Sequence, residues 1–163
     1  MRASEVIRLL DLEPLPEEGG FFRRTYSSRH STAWPSGPRL LATAIYYLVT
    51  PDDFSALHRL DQDEMFHFYL GDAVEMWQLR EDGKTIRTVL GPDLKGRQLP
   101  QYLASGGIWQ GTRLLKGGQW ALLGTTVVPG FDEVDFELAS RGKLLKRYPQ
   151  HAAKICRFTR AAK

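Results

Sequence analysis

The sequence predicts an all-β fold, an antiparallel sandwich or barrel with helices at its two ends. Three observations carry this. About nine short strand-like segments follow one another at regular spacing between Gly20 and Ala139. Gly, Pro and Asp turn residues separate them. Helical periodicity is confined to the two ends of the chain.

Ser4 is placed to cap a first helix carrying Val6, Ile7, Leu9 and Leu10, and Pro14 and Pro16 end it. Gly20–His30 reads as a strand, and a loop with Pro35, Gly37 and Pro38 follows. Leu40–Thr50 is apolar and aromatic, as a buried strand requires. After the Pro51-Asp52-Asp53 turn come Phe54–Leu60, Met65–Leu70 and Ala73–Arg80. The Glu81-Asp82-Gly83 turn leads into Lys84–Leu90. Arg97–Leu103, Ile108–Leu115 and Gln119–Val128 complete the series, and Phe131–Ala139 continues extended. The remaining residues are helical, broken by Pro149.

The chain has 163 residues, 42% hydrophobic and 25% charged. At ~150 residues per domain this is one domain, with a barrel over about 20–140 and a helical tail over 141–163. The lone Cys156 excludes a disulfide-stapled scaffold. The N-terminus lacks a long apolar run and turns acidic by Glu13, which argues against a signal peptide. Leu40–Val49 is too short and too polar to span a bilayer. These features lead us to expect a cytoplasmic protein without membrane partners.

The net charge of +3 hides an asymmetry. The tail holds eight Lys/Arg and no acid, leaving 14 bases against 19 acids elsewhere. Such a tail suits nucleic acid or an acidic surface of its own body. Leu144, Leu145, Tyr148, Ala152, Ile155 and Phe158 fall at helical spacing, which favours docking on the body over nucleic acid.

Walker, GxGxxG, GxSxG, HExxH and CxxC motifs are absent. Cys156, without a nearby base, reads as a small hydrophobe. His30 and His151 read as surface residues. Alternation puts Ala56, His58 and Leu60 on one face of a strand. It puts Glu64, Phe66 and Phe68 on one face of the next, with His67 opposite, so that His58 and Glu64 are expected on inward faces of adjacent strands. A carboxylate in phase with two phenylalanines needs a function or a partner. A site and a structural ion pair both satisfy that need.

The spacing His58-x-Leu60-x3-Glu64-x6-Gly71 resembles the first motif of the cupin superfamily, with Asp52 for its leading Gly and Leu60 for its second His. Of the second motif, Gly107 remains, with Gln110 in the histidine slot. Longer phrases are more specific: EGGFFR (18–23), AIYYL (44–48), SALHRLDQDEMFHFYLGD (55–72), VVPGFDEVDFEL (127–138) and RYPQHAA (147–153). They resemble the cupin-5-like family, once catalogued only as a domain of unknown function, over residues 2–160. The resemblance implies a cupin jelly-roll barrel that dimerises, and no established reaction.

The family's metal slots correspond here to His58, Leu60, Glu64 and Gln110. Leucine cannot ligate and a glutamine oxygen is a weak donor, so no metal or other cofactor is expected. The slots suit a small polar or sugar-like ligand among aromatic walls. Trp109, beside Gln110, and Phe66 are the expected wall residues. Arg23 and Arg113 are candidates for a carboxylate or phosphate, or for surface pairs with Glu75 or Asp135. The expected function is small-molecule binding with metal-independent isomerase or epimerase chemistry. His58 would be the base, Glu64 would orient it, and Gln110 or Arg113 would hold an oxyanion. A non-catalytic metabolite-binding module is the alternative. The aromatic first strand suggests a homodimer.

Overall fold

A computed structural model describes residues 1–161, so the predicted tail charge at Lys163 lies outside the described residues. Helix α1 (Ala3–Leu9) precedes β1 (Glu13–Pro14), β2 (Phe21–Ser27), β3 (Ser31–Thr32), β4 (Arg39–Leu40), β5 (Thr43–Val49), β6 (Ser55–Leu60) and β7 (Asp63–Gly71). Then come β8 (Val74–Leu79), β9 (Thr85–Leu90), β10 (Gln101–Ala104), β11 (Trp109–Leu114), β12 (Ala121–Val128) and β13 (Phe136–Leu138). Helices α2 (Arg141–Arg147) and α3 (Ala152–Phe158) follow. A six-stranded sheet, in the order β1-β2-β5-β12-β7-β10, faces a five-stranded sheet, β13-β6-β11-β8-β9. The ladders within both are antiparallel. Together they form the jelly-roll barrel.

Three expected boundaries differ. Arg2, not Ser4, caps α1, because its backbone N–H donates to Glu5 Oε2 at 2.6 Å. The strand expected at Arg97–Leu103 starts only at Gln101, after a turn in which Arg97 has φ 62° and beyond Pro100, which has no N–H to donate. The extended run Phe131–Ala139 is interrupted by a 3₁₀ turn, Glu133–Asp135, which the Asp132 side chain caps by accepting from Val134 N at 3.1 Å.

Inward residues of both sheets, among them Tyr47, Val49, Phe66, Met76, Leu90 and Leu123, fill the barrel. Helix α1 covers Leu48 and Leu122 on the outer face of the larger sheet. The tail helices cover Leu57, Trp77, Leu79 and Trp109 on the outer face of the smaller one. Leu144, Tyr148, Ile155 and Phe158 of the tail are buried there. Fully burying such a side chain contributes ~1.5–3 kcal/mol, against ~0–1 kcal/mol for an exposed ion pair. The apolar face therefore holds the tail, and its charges set the register. Arg147 pairs with Glu81 at 2.7 Å, Arg160 with Asp53 at 2.8 Å, and Lys154 and Arg157 with the buried Glu75. Among the described residues no helix is long and apolar enough to cross a membrane.

Candidate active site

A cavity of about 680 Å³ opens at the end of the barrel beneath the segment Glu13–Glu18. Its floor is set by alternation. β6 turns His58 and Leu60 inward, and β7 turns Glu64 inward from the opposite sheet. The two strands are consecutive in sequence but not neighbours in a sheet, so His58 and Glu64 meet across the barrel rather than side by side as expected. Gln110 lies beside His58, its β11 register partner, and reaches across to Glu64. Its side-chain amide donates to Glu64 Oε2 at 2.7 Å. The Gln110 carbonyl oxygen is buried without a partner.

His58 is 2% exposed. Its Nδ1–H donates to Ala56 O at 2.8 Å, since a carbonyl can only accept. Glu18 Oε1 lies 3.9 Å from Nδ1 and Glu64 Oε2 4.0 Å from Nε2. The ring stacks on Phe136 with centroids 5.3 Å apart. Burial alone would lower the His58 pKa, but the Glu18 and Glu64 carboxylates together outweigh it and hold the pKa at about 9. The imidazolium is the resting form at neutral pH. Burial raises the Glu18 pKa, with Glu64 adding to the rise and His58 opposing it.

Sequence reasoning missed Glu18. Glu17, Gly19 and Gly20 have φ of 61°, 93° and 77°, and this left-handed run turns the Glu18 side chain into the barrel. There it accepts from the Ser55 hydroxyl at 2.7 Å. The signal available was the Glu-Glu-Gly-Gly turn, but its contact with His58 spans 40 positions of chain.

None of the five expected ligand-binding residues lines the cavity: Gln110 is buried behind Glu64, to which it donates, and the other four lie elsewhere. Trp109 faces away from Gln110, since neighbours on a strand point to opposite faces, and packs under the tail helices with Arg59 4.6 Å over its ring. Phe66 is core filler. Arg113 lies on the outer face, 3.6 Å over the Phe54 ring, and donates to Arg157 O at 2.6 Å. Arg23 is at the surface, 3.7 Å from Asp11. Neither arginine pairs with Glu75 or Asp135. Glu75 takes Arg87, Lys154 and Arg157, and Asp135 takes Arg39.

The four metal slots do not fit a transition metal. Leu60 occupies an inward position, Gln110 spends its amide on Glu64, and His58 is the single imidazole. Glu18 and Glu64 stand at opposite edges of that ring, so they do not converge on one ring nitrogen. Among the described residues no group of three or more His, Cys, Asp or Glu is arranged to hold a metal ion.

Two facing antiparallel sheets closed into a jelly roll, with a polar site on inward strand positions, define a cupin. The chain belongs to the Cupin_5 family, described as Cupin superfamily (DUF985), whose model matches residues 4–139. A protein of known structure from Shewanella oneidensis is 36% identical, with 99% of each chain covered and a TM-score of 0.91. A hypothetical protein from Leishmania major is 30% identical, covering 99% of this chain and 100% of that one, with a TM-score of 0.93. An uncharacterized protein of Saccharomyces cerevisiae is 27% identical over 154 residues, 85% of this chain and 77% of its own length. At the level of fold alone, the chain is similar to a dTDP sugar isomerase from Desulfovibrio desulfuricans (17% identity, 73% and 83% coverage, TM-score 0.53). It is likewise similar to an oxalate decarboxylase from Bacillus subtilis (13% identity, 94% and 39% coverage, TM-score 0.56).

Proposed function

We propose that the cavity binds a small uncharged polar molecule of keto-sugar type and isomerises it by proton transfer, without a metal. The observation that carries this is the placement of His58 between two carboxylates on the cavity floor, which favours its protonated form. The roles differ from those expected of the sequence. An imidazolium cannot act as a base, so His58 gives a proton and Glu18, with its raised pKa, takes one. Glu18 would remove the proton from the carbon beside the carbonyl. The C–H electron pair becomes a C=C bond, the carbonyl π pair takes the His58 proton, and an enediol forms. Glu18 then returns its proton to the other carbon while the now neutral His58 takes the proton of that enediol's second hydroxyl, or returns it to the other face of the same carbon while His58 takes its own proton back. Either way the O–H pair closes the new carbonyl and both residues are restored.

Charge selects the ligand class. Glu13, Glu17 and Glu133 also line the cavity, against the single guanidinium of Arg24. This field repels a nucleotide diphosphate and tolerates a neutral polyol. A non-catalytic binding module is the second reading. It is favoured by the resting satisfaction of both carboxylates, Glu18 by Ser55 and Glu64 by Gln110.

The test is deuterium incorporation from heavy water into a panel of keto-sugars, followed by proton NMR. Incorporation that disappears in Glu18→Gln and His58→Gln is the expected result. Saturable binding with no incorporation leaves the module reading, and neither binding nor incorporation sinks both.

A further inference from the structure

The loop that carries Glu18 is fastened from outside the barrel by a residue of the tail. Asp53 Oδ1 accepts from Gly20 N at 3.0 Å and from Arg160 Nη2 at 2.8 Å. The same Nη2 reaches Phe54 O at 2.9 Å and Glu18 O at 3.4 Å, and the guanidinium lies 4.5 Å over the Phe54 ring. Ala56 N donates to Glu18 O at 2.9 Å, and the Tyr47 hydroxyl donates to Gly19 O at 2.8 Å. The backbone of residues 18–20 is thus held on one side by Arg160 and Asp53, while the Glu18 side chain is held on the other by Ser55 and faces His58. The fit is close. A Cβ at Gly19 would stand 1.8 Å from Arg160 Nη2 and 2.7 Å from Asp53 Oδ1.

We propose that Arg160 and Asp53 are positioning residues, a clamp that fixes the Glu18 loop so that its carboxylate stays against His58. The tail's basic charge then has a use beyond docking, and the smaller sheet's outer cover is tied to the chemistry inside. The proposal rests on the reading of Glu18 and His58 as the working pair, but the geometry of the pair is measurable apart from turnover.

The measurement is the His58 titration, followed by imidazole NMR in the full chain. Wild type should titrate near 9. Arg160→Gln should bring the midpoint down by about one unit, toward the ordinary ~6.5, as Glu18 leaves the ring. The sign is diagnostic. Removing a nearby cation acts through space to raise a histidine pKa, so a fall reports the departure of Glu18. Arg160→Lys should restore part of the shift. Arg147→Gln, which breaks the tail's ion pair with Glu81, should leave it unchanged. A folded Arg160→Gln with the wild-type midpoint overturns the proposal. Should that variant not fold, Gly19→Ala, which pushes the guanidinium away without changing any charge, carries the same readout, and an unmoved midpoint there is equally fatal. If no keto-sugar exchanges deuterium while the midpoint still falls, the catalytic reading is lost and the clamp stands.

Discussion

Gln110 donates its side-chain amide to Glu64 Oε2 at 2.7 Å, joining the two sheets across the barrel floor. The buried amide steadies a carboxylate that lies 4.0 Å from the His58 ring. A hydrogen bond to a charged group is worth ~1.5–3 kcal/mol.

Stability should follow the His58 charge. Its pKa is raised from 6.5 to about 9, so its contribution is complete below about 6.5 and is lost as pH climbs through 9. Denaturant midpoints should fall over that window. His58→Gln should flatten the slope and cost about 3–5 kcal/mol at neutral pH, because Glu18 and Glu64 then share a buried site without a countercharge.

Protein purified without chelator should hold well under one transition metal per chain by elemental analysis. The donor set is the reason, with Leu60 and Gln110 in place of two imidazoles. Stoichiometric zinc, iron or manganese would contradict it.

Asp135 should be a sensitive carboxylate outside the cavity. Its two oxygens take Arg39 Nε at 2.6 Å and Nη2 at 2.9 Å, along with Ser36 and Gln62. Asp135→Ala leaves a buried guanidinium unpaired and should cost about 3–5 kcal/mol in urea unfolding. The Arg39 hydrogen bond is the main cause that lowers the Asp135 pKa from 3.8 to about 2. Its contribution is therefore present above about 3.8 and lost as pH falls through 2.

Deleting the tail from Arg141 onward should uncover Leu57, Trp77, Leu79 and Trp109. Lower solubility and a lower melting temperature are expected. An unchanged melting temperature with weakened nucleic-acid binding would favour the other use of a basic tail.

A dimer is expected in sedimentation at micromolar concentration. β1 covers β2 only at Phe21 and Phe22, which leaves the edge from Arg23 to Ser27, with the exposed Tyr26, for a second copy. A monomer under those conditions would refute this.

Alternation and turn residues make the strands readable, and they put His58, Leu60 and Glu64 on inward faces. They did not say which strands face each other, because the order of strands in a sheet is a long-range property. Hence His58 and Glu64 looked like neighbours on one sheet. Trp109 failed for a local reason: one step along a strand reverses the side. Glu18 failed for a distant one. A pair of glutamates before two glycines looks like any solvated turn, and only the positive-φ run that inverts it reveals the carboxylate. Arg113 failed because its charge suggested a ligand, while the tail supplied a backbone carbonyl instead.

Three ionisable groups on the floor of a barrel are something folding alone does not require. Replacing a buried charged set by apolar side chains of similar volume is often neutral or stabilising. Glu18, His58 and Glu64 could therefore give way together to leucine and methionine, and the barrel would lose its site without losing its shape. Over generations, sequence drift would run downhill toward such a silent barrel wherever the cavity went unused. Lineages that keep all three groups should be those in which something still enters it.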